Sequence, residues 1–375
     1  MPPLIPRARP YFSAAAQERL HHHLRDVLEG WLTAGPLRDR FEARFAAYVG
    51  ARHAVAVSSG TAALYATLRH FALDGGEVIL PTMTCFACAS AIQLAGGVPR
   101  LVNVAPDSMG LDPADTLAAM GPHTRGVLAV HLGGHILPWI DELRNACRER
   151  GLFLVEDAAQ ATGASLGGRR AGVLADAACF SFHPTKIITT GEGGMITTDD
   201  AALAAACRAF RESSVGEDGP RPGLGLNLAL AEMACAMGLE QLAELDDFLS
   251  ARGAVARQYA ALLAPVPGVT LLEPPAGSVS SWWRAYVRLP EGVDRDALMQ
   301  RMLVEHAVDV RPAYRPLLHD HPSLAAGDRG RFAPSDAAMA RLVCLPVFVG
   351  LTAPDVERVV ASLVACLAWP GAHRS

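Results

Sequence analysis

The chain contains a single lysine, Lys186, which lies between Ser181-Phe182 and a glycine-rich turn at Gly191–Gly194. The other residues among its 33 basic side chains are all arginines, whose guanidinium stays protonated and cannot act as a nucleophilic amine. A lysine amine that is removed from water gives up its proton more readily and can form a Schiff base with a carbonyl. We therefore interpret Lys186 as a catalytic amine rather than a surface charge left by chance.

An acidic residue stands at the end of the apolar run Leu152–Val155, where Asp157 is followed three residues later by Gln160. Open α/β sheets bind their ligands at the carboxyl ends of the strands. A carboxylate at that edge can keep a ring nitrogen protonated, as the pyridinium of pyridoxal phosphate requires. Gln160 can donate a hydrogen bond to an oxygen of the same ring. The competing interpretation is that Asp157 only caps the following turn.

A phosphate site is predicted where the strand-like run Val55–Val57 leads through Ser59, Gly60 and Thr61 into a helix. Free amides and the positive dipole end make such a helix start a site for anions, although ordinary serine or threonine capping is the alternative. The chain has neither a Walker A motif nor a well-placed Gly-x-Gly-x-x-Gly. Nucleotide hydrolysis and Rossmann dinucleotide binding therefore lose support.

Two cysteines, Cys85 and Cys88, form a C-x-x-C motif where a strand gives way to a helix. A thioredoxin-like redox pair occupies such a position. A zinc site would need two more ligands at suitable spacing, and none is present. We favour the simpler interpretation, in which two small apolar thiols pack near the start of a helix.

Strand-like and helix-like segments alternate from residue 53 onward. This alternation is typical of βαβ units and of a mainly parallel sheet covered on both faces. A long helical region is predicted from Ala229 to about Leu262. The predicted strands of the sheet are His53–Val57, Glu77–Leu80, Val98–Val104, Gly126–His131, Leu152–Glu156, Ala178–Phe182 and Met195–Thr198.

Proline and glycine at 265–275 interrupt this alternation of strands and helices. The segment that follows has a different pattern, with a predicted strand at Trp282–Leu289 and a closing helix at Pro354–Leu367. We expect a large domain at 1–247 and a small α+β domain at 248–375. The segment Gly216–Gly225, rich in glycine and proline, is predicted to be a mobile loop.

The net charge is −5 and no basic run occurs, so no nucleic-acid or membrane partner is expected. The sequence shows no secretion signal and no apolar stretch long enough to span a bilayer, which predicts a cytoplasmic protein. Eight scattered cysteines suit reduced, buried thiols better than a disulfide framework.

Together these motifs resemble the DegT–StrS family of pyridoxal-phosphate-dependent sugar aminotransferases over nearly the whole chain. The matching segments are Gly30–Pro36, Val57–Leu64, Glu77–Pro81, Glu156–Gln160, Ser181–Gly194, Gly225–Asn227, Gly238–Leu242 and Pro316–His319. The resemblance implies a fold-type-I PLP transferase, with a large domain built on a mixed, mostly parallel seven-stranded sheet and a small C-terminal domain. It also implies a homodimer whose active sites are shared between the subunits.

The resemblance assigns roles to single residues. Lys186 would be the Schiff-base lysine, Asp157 the partner of the pyridine nitrogen, and Gln160 a neighbour of the ring hydroxyl. His183 is a further catalytic candidate because the family often has His-Pro-x-Lys at this point. The remaining cofactor contacts implied are Ser59, Gly60, Thr61 and Ser181 on the phosphate, and Asn227 on the phosphate of the partner subunit.

The sequence departs from the family pattern at several positions. Cys85 stands where the family usually stacks an aromatic ring on the cofactor, and we retain it as a cofactor contact. Arg284 follows Trp282-Trp283 where a histidine is expected, Ala229 replaces an arginine, and Leu137-Pro138 replaces Asp-Met. The residues predicted to contact substrate are Arg284, Tyr314 and His319.

The predicted reaction moves an amino group from an amino acid, expected to be L-glutamate, to a keto-sugar that is expected to be nucleotide-linked, in the biosynthesis of an amino sugar. An aminocyclitol is an alternative acceptor. A lyase or desulfurase of the same fold is an alternative reaction. A non-enzymatic regulator that keeps the cofactor is a third possibility, but it would need a DNA-binding module or basic face, and the chain shows neither.

Overall fold

The computed structural model describes residues 2–213, 215–216, 219–220, 224–324 and 328–369. The α-helices are α1 Ala14–Glu29, α2 Pro36–Val49, α3 Gly60–His70, α4 Phe86–Leu94, α5 Pro113–Ala119, α6 Ile140–Glu149, α7 Ala201–Arg211, α8 Glu232–Ala243, α9 Leu245–Leu263, α10 Arg295–His306, α11 Ala333–Ala340 and α12 Ala353–Leu367. Short 3₁₀ helices lie at Leu132–Gly134, Leu318–Asp320 and Arg329–Phe332.

The strands alternate with these helices through the first half of the chain. They are β1 His53–Val57, β2 Glu77–Pro81, β3 Val98–Val102, β4 Thr124–Val130, β5 Phe153–Asp157, β6 Ser165–Leu166, β7 Arg169–Arg170, β8 Ala177–Ser181, β9 Gly194–Thr198, β10 Val215–Gly216, β11 Gly219–Pro220, β12 Thr270–Leu271, β13 Ser278–Val279, β14 Ala285–Arg288 and β15 Leu342–Leu345.

The main sheet has seven strands in the order β1-β9-β8-β5-β4-β2-β3. Strand β9 runs antiparallel to both of its neighbours, whereas the other four pairings are parallel. The mixed, mostly parallel seven-stranded sheet is thus confirmed. Because five consecutive strands run the same way, the carboxyl ends of β2, β4, β5 and β8 meet at one edge, which is the edge where α/β proteins bind ligands.

The central strands of this sheet are buried on both faces because helices cover both, whereas the first half of the edge strand β3 is partly exposed. In β1, Val55 and Val57 join one buried cluster, while Ala54 and Ala56 join the cluster on the opposite face. Successive side chains of a strand point to opposite faces, so a continuous apolar run marks a strand buried on both sides. The sheet is therefore a rigid support for the loops at its edge.

A separate apolar cluster forms around the small antiparallel sheet β12-β14-β15. Helix α9 bridges the two bodies: Phe248 packs in the core of the large sheet, and Val255 packs in the small cluster. Ile5 also joins the small cluster, where it pairs with Val308. The boundary between residues 247 and 248 stays a prediction.

Two element predictions differ from the structure. The long helical region predicted at 229–262 is two helices, α8 and α9, because Glu244 leaves the helical conformation with φ −105° and ψ 6°. The strand predicted at Trp282–Leu289 begins only at Ala285, since Trp282 has a φ of 49° that no strand residue adopts. Much of the loop predicted at 216–225 lies outside the described residues.

Within the described residues, no helix combines the length and the apolar character needed to cross a membrane.

Candidate active site

Lys186 lies in the connection between β8 and β9, the two strands at which the sheet changes direction. Its amide donates to His183 O at 2.9 Å, and its Nζ lies 5.0 Å from the centre of the Trp283 ring. Burial lowers the pKa of the Lys186 amine, and the nearby Asp157 carboxylate partly opposes this shift. The amine is thus more easily deprotonated than an exposed lysine, as a nucleophile requires.

Asp157 is the last residue of β5 and is only 6% exposed. Its Oδ1 accepts a hydrogen bond from Ala159 N at 3.0 Å, and its Oδ2 accepts one from Cys88 Sγ at 3.0 Å. A carboxylate oxygen has a second lone pair, so each can still accept a further proton donor. The carboxylate is therefore fixed in orientation yet able to hold a protonated ring nitrogen.

Gln160 is buried, and its side-chain amide is held at both ends. Its Oε1 accepts from Gly133 N at 2.8 Å, and its Nε2 donates to the Tyr314 hydroxyl at 2.5 Å. The Ser281 hydroxyl also donates to the backbone carbonyl oxygen of Gln160 at 2.7 Å. Tyr314 thereby connects the C-terminal part of the chain to the edge of the main sheet.

The predicted phosphate residues come together at the start of α3. Ser59 caps the helix by accepting from Ala62 N at 3.1 Å. Gly60 lies so close to β8 that an added Cβ would be 2.8 Å from Ser181 Cβ. Thr61 is exposed in the first turn. The amides of this turn, with two hydroxyl-bearing neighbours, have the donors that an anion needs, and the phosphate contact stays a prediction.

Asn227 is exposed and lies near the start of α3. The next residue, Leu228, accepts a hydrogen bond at its backbone oxygen from Ser58 N at 2.8 Å. The carry-over of Asn227 to the cofactor of a second subunit stays a prediction.

Cys85 and His183 lie at the rim of the site. Cys85 is the exposed N-cap residue of α4 and is close enough to Lys186 and Tyr314 to act on the pKa of both. Phe86 stacks on His321 with ring centres 3.7 Å apart, so its ring is directed away from the position of the missing aromatic. His183 is exposed, and its Nδ1 lies 3.0 Å from Thr185 Oγ1. The roles predicted for Cys85 and His183 stay predictions.

The three residues predicted to contact substrate have different surroundings. Arg284 is buried, donates to Arg7 O at 3.1 Å, and places its guanidinium 4.4 Å from the centre of the Trp283 ring. Burial lowers its pKa from the usual value, although arginine stays charged. Tyr314 reaches the site through Gln160. Each of these contacts to substrate stays a prediction.

His319 has both ring nitrogens engaged inside the protein. Its Nδ1 lies 2.6 Å from Thr82 Oγ1, its Nε2 lies 3.1 Å from Asp336 Oδ1, and its ring stacks on Phe332. This geometry holds the segment after β2 in place. A direct contact between His319 and substrate stays a prediction.

Sequence reasoning missed two neighbours of the reactive groups. Trp283 contacts the Lys186 amine and anchors the lysine segment by donating from Nε1 to Thr185 O at 2.7 Å. Cys88 donates to Asp157, whereas its motif predicted only packing or redox chemistry. The C-x-x-C motif predicted two thiols packed near the start of a helix, but no pattern in the sequence pairs Cys88 with a carboxylate 69 residues away.

The residues present fit pyridoxal phosphate. A partly desolvated amine, a buried carboxylate and a helix start with free amides are the three partners that its aldehyde, ring nitrogen and phosphate require. All three lie at the same edge of the sheet. The fit rests on the chemistry of these donors and acceptors, which the fold brings together from separate parts of the chain.

The family model described as the DegT/DnrJ/EryC1/StrS aminotransferase family matches residues 14–364. The GDP-perosamine synthase of Caulobacter vibrioides is 37% identical over 369 residues, which cover 94% of this chain and 98% of that protein. The crystal structure of DesI in the presence of its TDP-sugar product superposes with a TM-score of 0.89 at 34% identity, covering 97% of this chain and 93% of DesI. The aminotransferase TlmJ from Streptoalloteichus hindustanus superposes with a TM-score of 0.90 at 31% identity, covering 97% and 99% of the two chains. The chain belongs to the DegT/DnrJ/EryC1/StrS aminotransferase family, and it is an aminotransferase of the pyridoxal-phosphate-dependent type.

Proposed function

We propose that this enzyme transfers the amino group of L-glutamate to the carbonyl of a nucleotide-linked keto-sugar, with pyridoxal phosphate held at the edge of the main sheet. The observation that carries the proposal is a lysine amine, Lys186, whose pKa is lowered by burial and which is under the electrostatic influence of Asp157. An amine that loses its proton more readily than usual, near a buried carboxylate, suits both covalent attachment of the cofactor and proton transfer.

Four groups of the chain would hold the cofactor. Lys186 is the point of covalent attachment, Asp157 keeps the ring nitrogen protonated, and Gln160 lies beside the ring oxygen. The first turn of α3, with Thr61 and Ser181, receives the phosphate. When bound, pyridoxal phosphate supplies the electron sink that stabilises negative charge on the carbon next to the amino group.

Lys186 has a second task once its amine is free. Its Nζ would accept the proton from Cα of the amino donor and deliver it to the carbon that carried the cofactor's aldehyde. Water would then release the donor as a keto acid and leave the amino group for the second half-reaction. In the second half-reaction the same Nζ returns a proton to the sugar carbon that receives the amine. General acid–base catalysis of this kind contributes about 10²- to 10⁴-fold. The Asp157 carboxylate would keep the ring nitrogen protonated in both half-reactions. Hydrogen bonds from Ala159 and Cys88 hold this carboxylate in place.

The choice of substrates is supported by the relatives and by one basic residue. Two of the relatives are named for a GDP-linked and a TDP-linked sugar. Arg284 lies against Trp283, the same ring that contacts the Lys186 amine, and is a suitable partner for a carboxylate of the amino donor.

We also propose that the enzyme is a homodimer with shared sites. Exposed apolar side chains support this proposal: Leu28 is 69% exposed, Trp31 65% and Leu32 61%. Leu224 and Leu226, just before the exposed Asn227, are exposed as well. Apolar patches of this kind mark interaction surfaces, and a second subunit would carry its own Asn227 to the first subunit's phosphate.

Transfer of labelled nitrogen tests the proposed reaction. The holoenzyme is incubated with ¹⁵N-glutamate and a panel of keto-sugar nucleotides, and the products are identified by mass spectrometry. We expect one or more amino-sugar nucleotides that carry ¹⁵N, together with 2-oxoglutarate. The Lys186→Ala variant is the control and should give neither product. If the wild-type enzyme releases 2-oxoglutarate but aminates only cyclitols, the sugar assignment is wrong; if no amino donor is consumed, the reaction class is wrong.

A further inference from the structure

Cys88 contacts the carboxylate of Asp157 from inside the protein. Cys88 is the third residue of α4, is fully buried, and belongs to the cluster on one face of the main sheet. Its Sγ donates to Asp157 Oδ2 at 3.0 Å, while Ala159 N donates to Oδ1. The carboxylate is thus held from both sides, by a backbone amide and by a thiol.

The thiol is a donor and not a thiolate at this position. Burial raises the pKa of Cys88 well above its usual value, and the negative charge of Asp157 raises it further. The Thr84 hydroxyl lies 3.4 Å from Sγ and can donate to the sulfur while the S–H points to Asp157. Thr84, Cys88 and Asp157 therefore form a short chain of hydrogen bonds that ends on the carboxylate.

A weak donor suits the role that Asp157 has in the proposed function. A carboxylate that accepts several strong hydrogen bonds becomes a poorer proton acceptor, because those bonds stabilise its charged form. An S–H group donates weakly, so it restrains the direction of the carboxylate while leaving most of its charge free. Asp157 needs that charge to keep the ring nitrogen protonated.

We propose that Cys88 is a positioning residue, whose thiol orients the Asp157 carboxylate toward the ring nitrogen of the cofactor. This inference rests on the proposed function, and it gives the C-x-x-C motif a task other than redox chemistry or packing. Loss of the thiol would let the carboxylate rotate and would weaken its pairing with the ring nitrogen. Contacts to the phosphate would not change, because the start of α3 lies on a different element.

The test compares two ligands that differ at the ring nitrogen alone. Apo-enzyme is titrated with pyridoxal phosphate and with its deaza analogue, in which carbon replaces the ring nitrogen, and both dissociation constants are measured by protein fluorescence. The wild-type protein should prefer pyridoxal phosphate. In Cys88→Ala the preference should fall about five- to tenfold, which is the net size of an ordinary hydrogen bond, because the thiol is a weak donor. Cys88→Ser keeps a donor that orients the carboxylate, although a stronger one, and should keep a larger preference than Cys88→Ala.

Cys207→Ala is the matched control because Cys207 is also fully buried in the same cluster, on α7. This variant should leave the preference unchanged. If the role of Cys88 is purely structural, Cys88→Ala would weaken the binding of both ligands equally. That result would overturn the proposal. If the wild-type protein itself binds both ligands equally, the ring-nitrogen role of Asp157 is wrong and the proposal falls with it. If Cys88→Ala does not fold, loss of the preference in Cys88→Ser would overturn the proposal by itself.

Discussion

At the scale of single residues, the site depends on how far each group is removed from water. Lys186 is half-buried against Trp283, and burial lowers the pKa of its amine. An arginine in the same place would keep its charge and would offer no nucleophile. The reaction that we propose therefore depends on this one side chain, since none of the arginines could replace its amine.

Replacement of Lys186 by arginine or alanine is expected to stop catalysis without unfolding the protein. Turnover should fall by at least about 10²- to 10⁴-fold in both variants, because the proton-transfer role alone has that size. The free energy of unfolding in urea should not decrease, since burial of the Lys186 amine disfavours its charged form and the side chain stabilises the fold little. Steady-state rates and urea titrations check both expectations. Activity of Lys186→Arg within tenfold of wild type would show that the amine is not the catalytic group.

His135 gives the stability a pH dependence that can be measured. Burial lowers the pKa of its ring from 6.5 to about 4, where the ring packs edge-on against Trp282. The unfolded chain binds a proton as the pH falls below 6.5, but the folded protein does not bind it until about pH 4. The contribution of His135 to stability is therefore complete above pH 6.5 and is lost as the pH falls from 6.5 to about 4.

Urea unfolding at pH 7.5 and pH 5 tests this dependence. We expect that His135 accounts for about 2 kcal/mol of the decrease in the free energy of unfolding between these two values. In His135→Gln, which does not titrate, the decrease should be smaller by that amount. An equal decrease in the two proteins would mean that His135 is accessible to protons in the fold.

At the scale of elements, the proposed phosphate site at the start of α3 depends on the close approach of three backbone segments. Helix α3 begins at Gly60, which packs against the end of β8. Strand β9 begins at Gly194, which packs against the backbone of the same first turn of α3. A Cβ on Gly194 would lie 2.4 Å from Ser59 O and 2.8 Å from Gly60 N. Both atoms belong to backbone, so no side-chain rotation could relieve the contact.

Gly194→Ala is therefore expected to displace the start of α3. The change should lower the free energy of unfolding by about 2 kcal/mol or more and weaken cofactor binding at least about tenfold, since strain and lost phosphate contacts act together. Gly121→Ala is the control, because nothing lies within 4 Å of a Cβ at that position. Urea titration and fluorescence titration with pyridoxal phosphate measure the two effects. Equal behaviour of the two variants would contradict the close approach.

At the scale of the whole molecule, the site joins the main sheet to the C-terminal part of the chain. Gln160 contacts Tyr314, and Thr185 contacts Trp283. Leu224 and Leu226, just before Asn227 in the chain, are exposed, and we propose that the second subunit binds there. Activity should then depend on assembly.

Trp31→Glu is expected to convert the dimer to a monomer and to reduce turnover, because a charge in the centre of an apolar contact is costly. The matched control is Leu117→Glu on α5, since Leu117 is also exposed. Sedimentation velocity gives the mass, and steady-state assays give the rate. A wild-type protein that is monomeric at the assay concentration yet fully active would refute the shared-site proposal.

The sequence alone determined the fold class and the family, and it singled out Lys186 as the amine that we propose to be reactive. Apolar runs that alternate with helical segments predict a buried parallel sheet. Lys186 stands out because it is the single lysine of the chain and lies beside a glycine-rich turn. These features are local, so pattern and residue type are enough to find them. The family and the sheet are confirmed by the comparisons and by the strand order.

Only the tertiary structure decided which side chains meet. Cys88 and Asp157 are 69 residues apart, and Gln160 and Tyr314 are 154 residues apart, so their contacts depend on how elements pack and not on spacing along the chain. The break between α8 and α9 at Glu244 has the same origin, because the helical pattern of that segment continues through it. Long-range packing fixed the direction of the Asp157 carboxylate, and with it the task that we infer for Cys88.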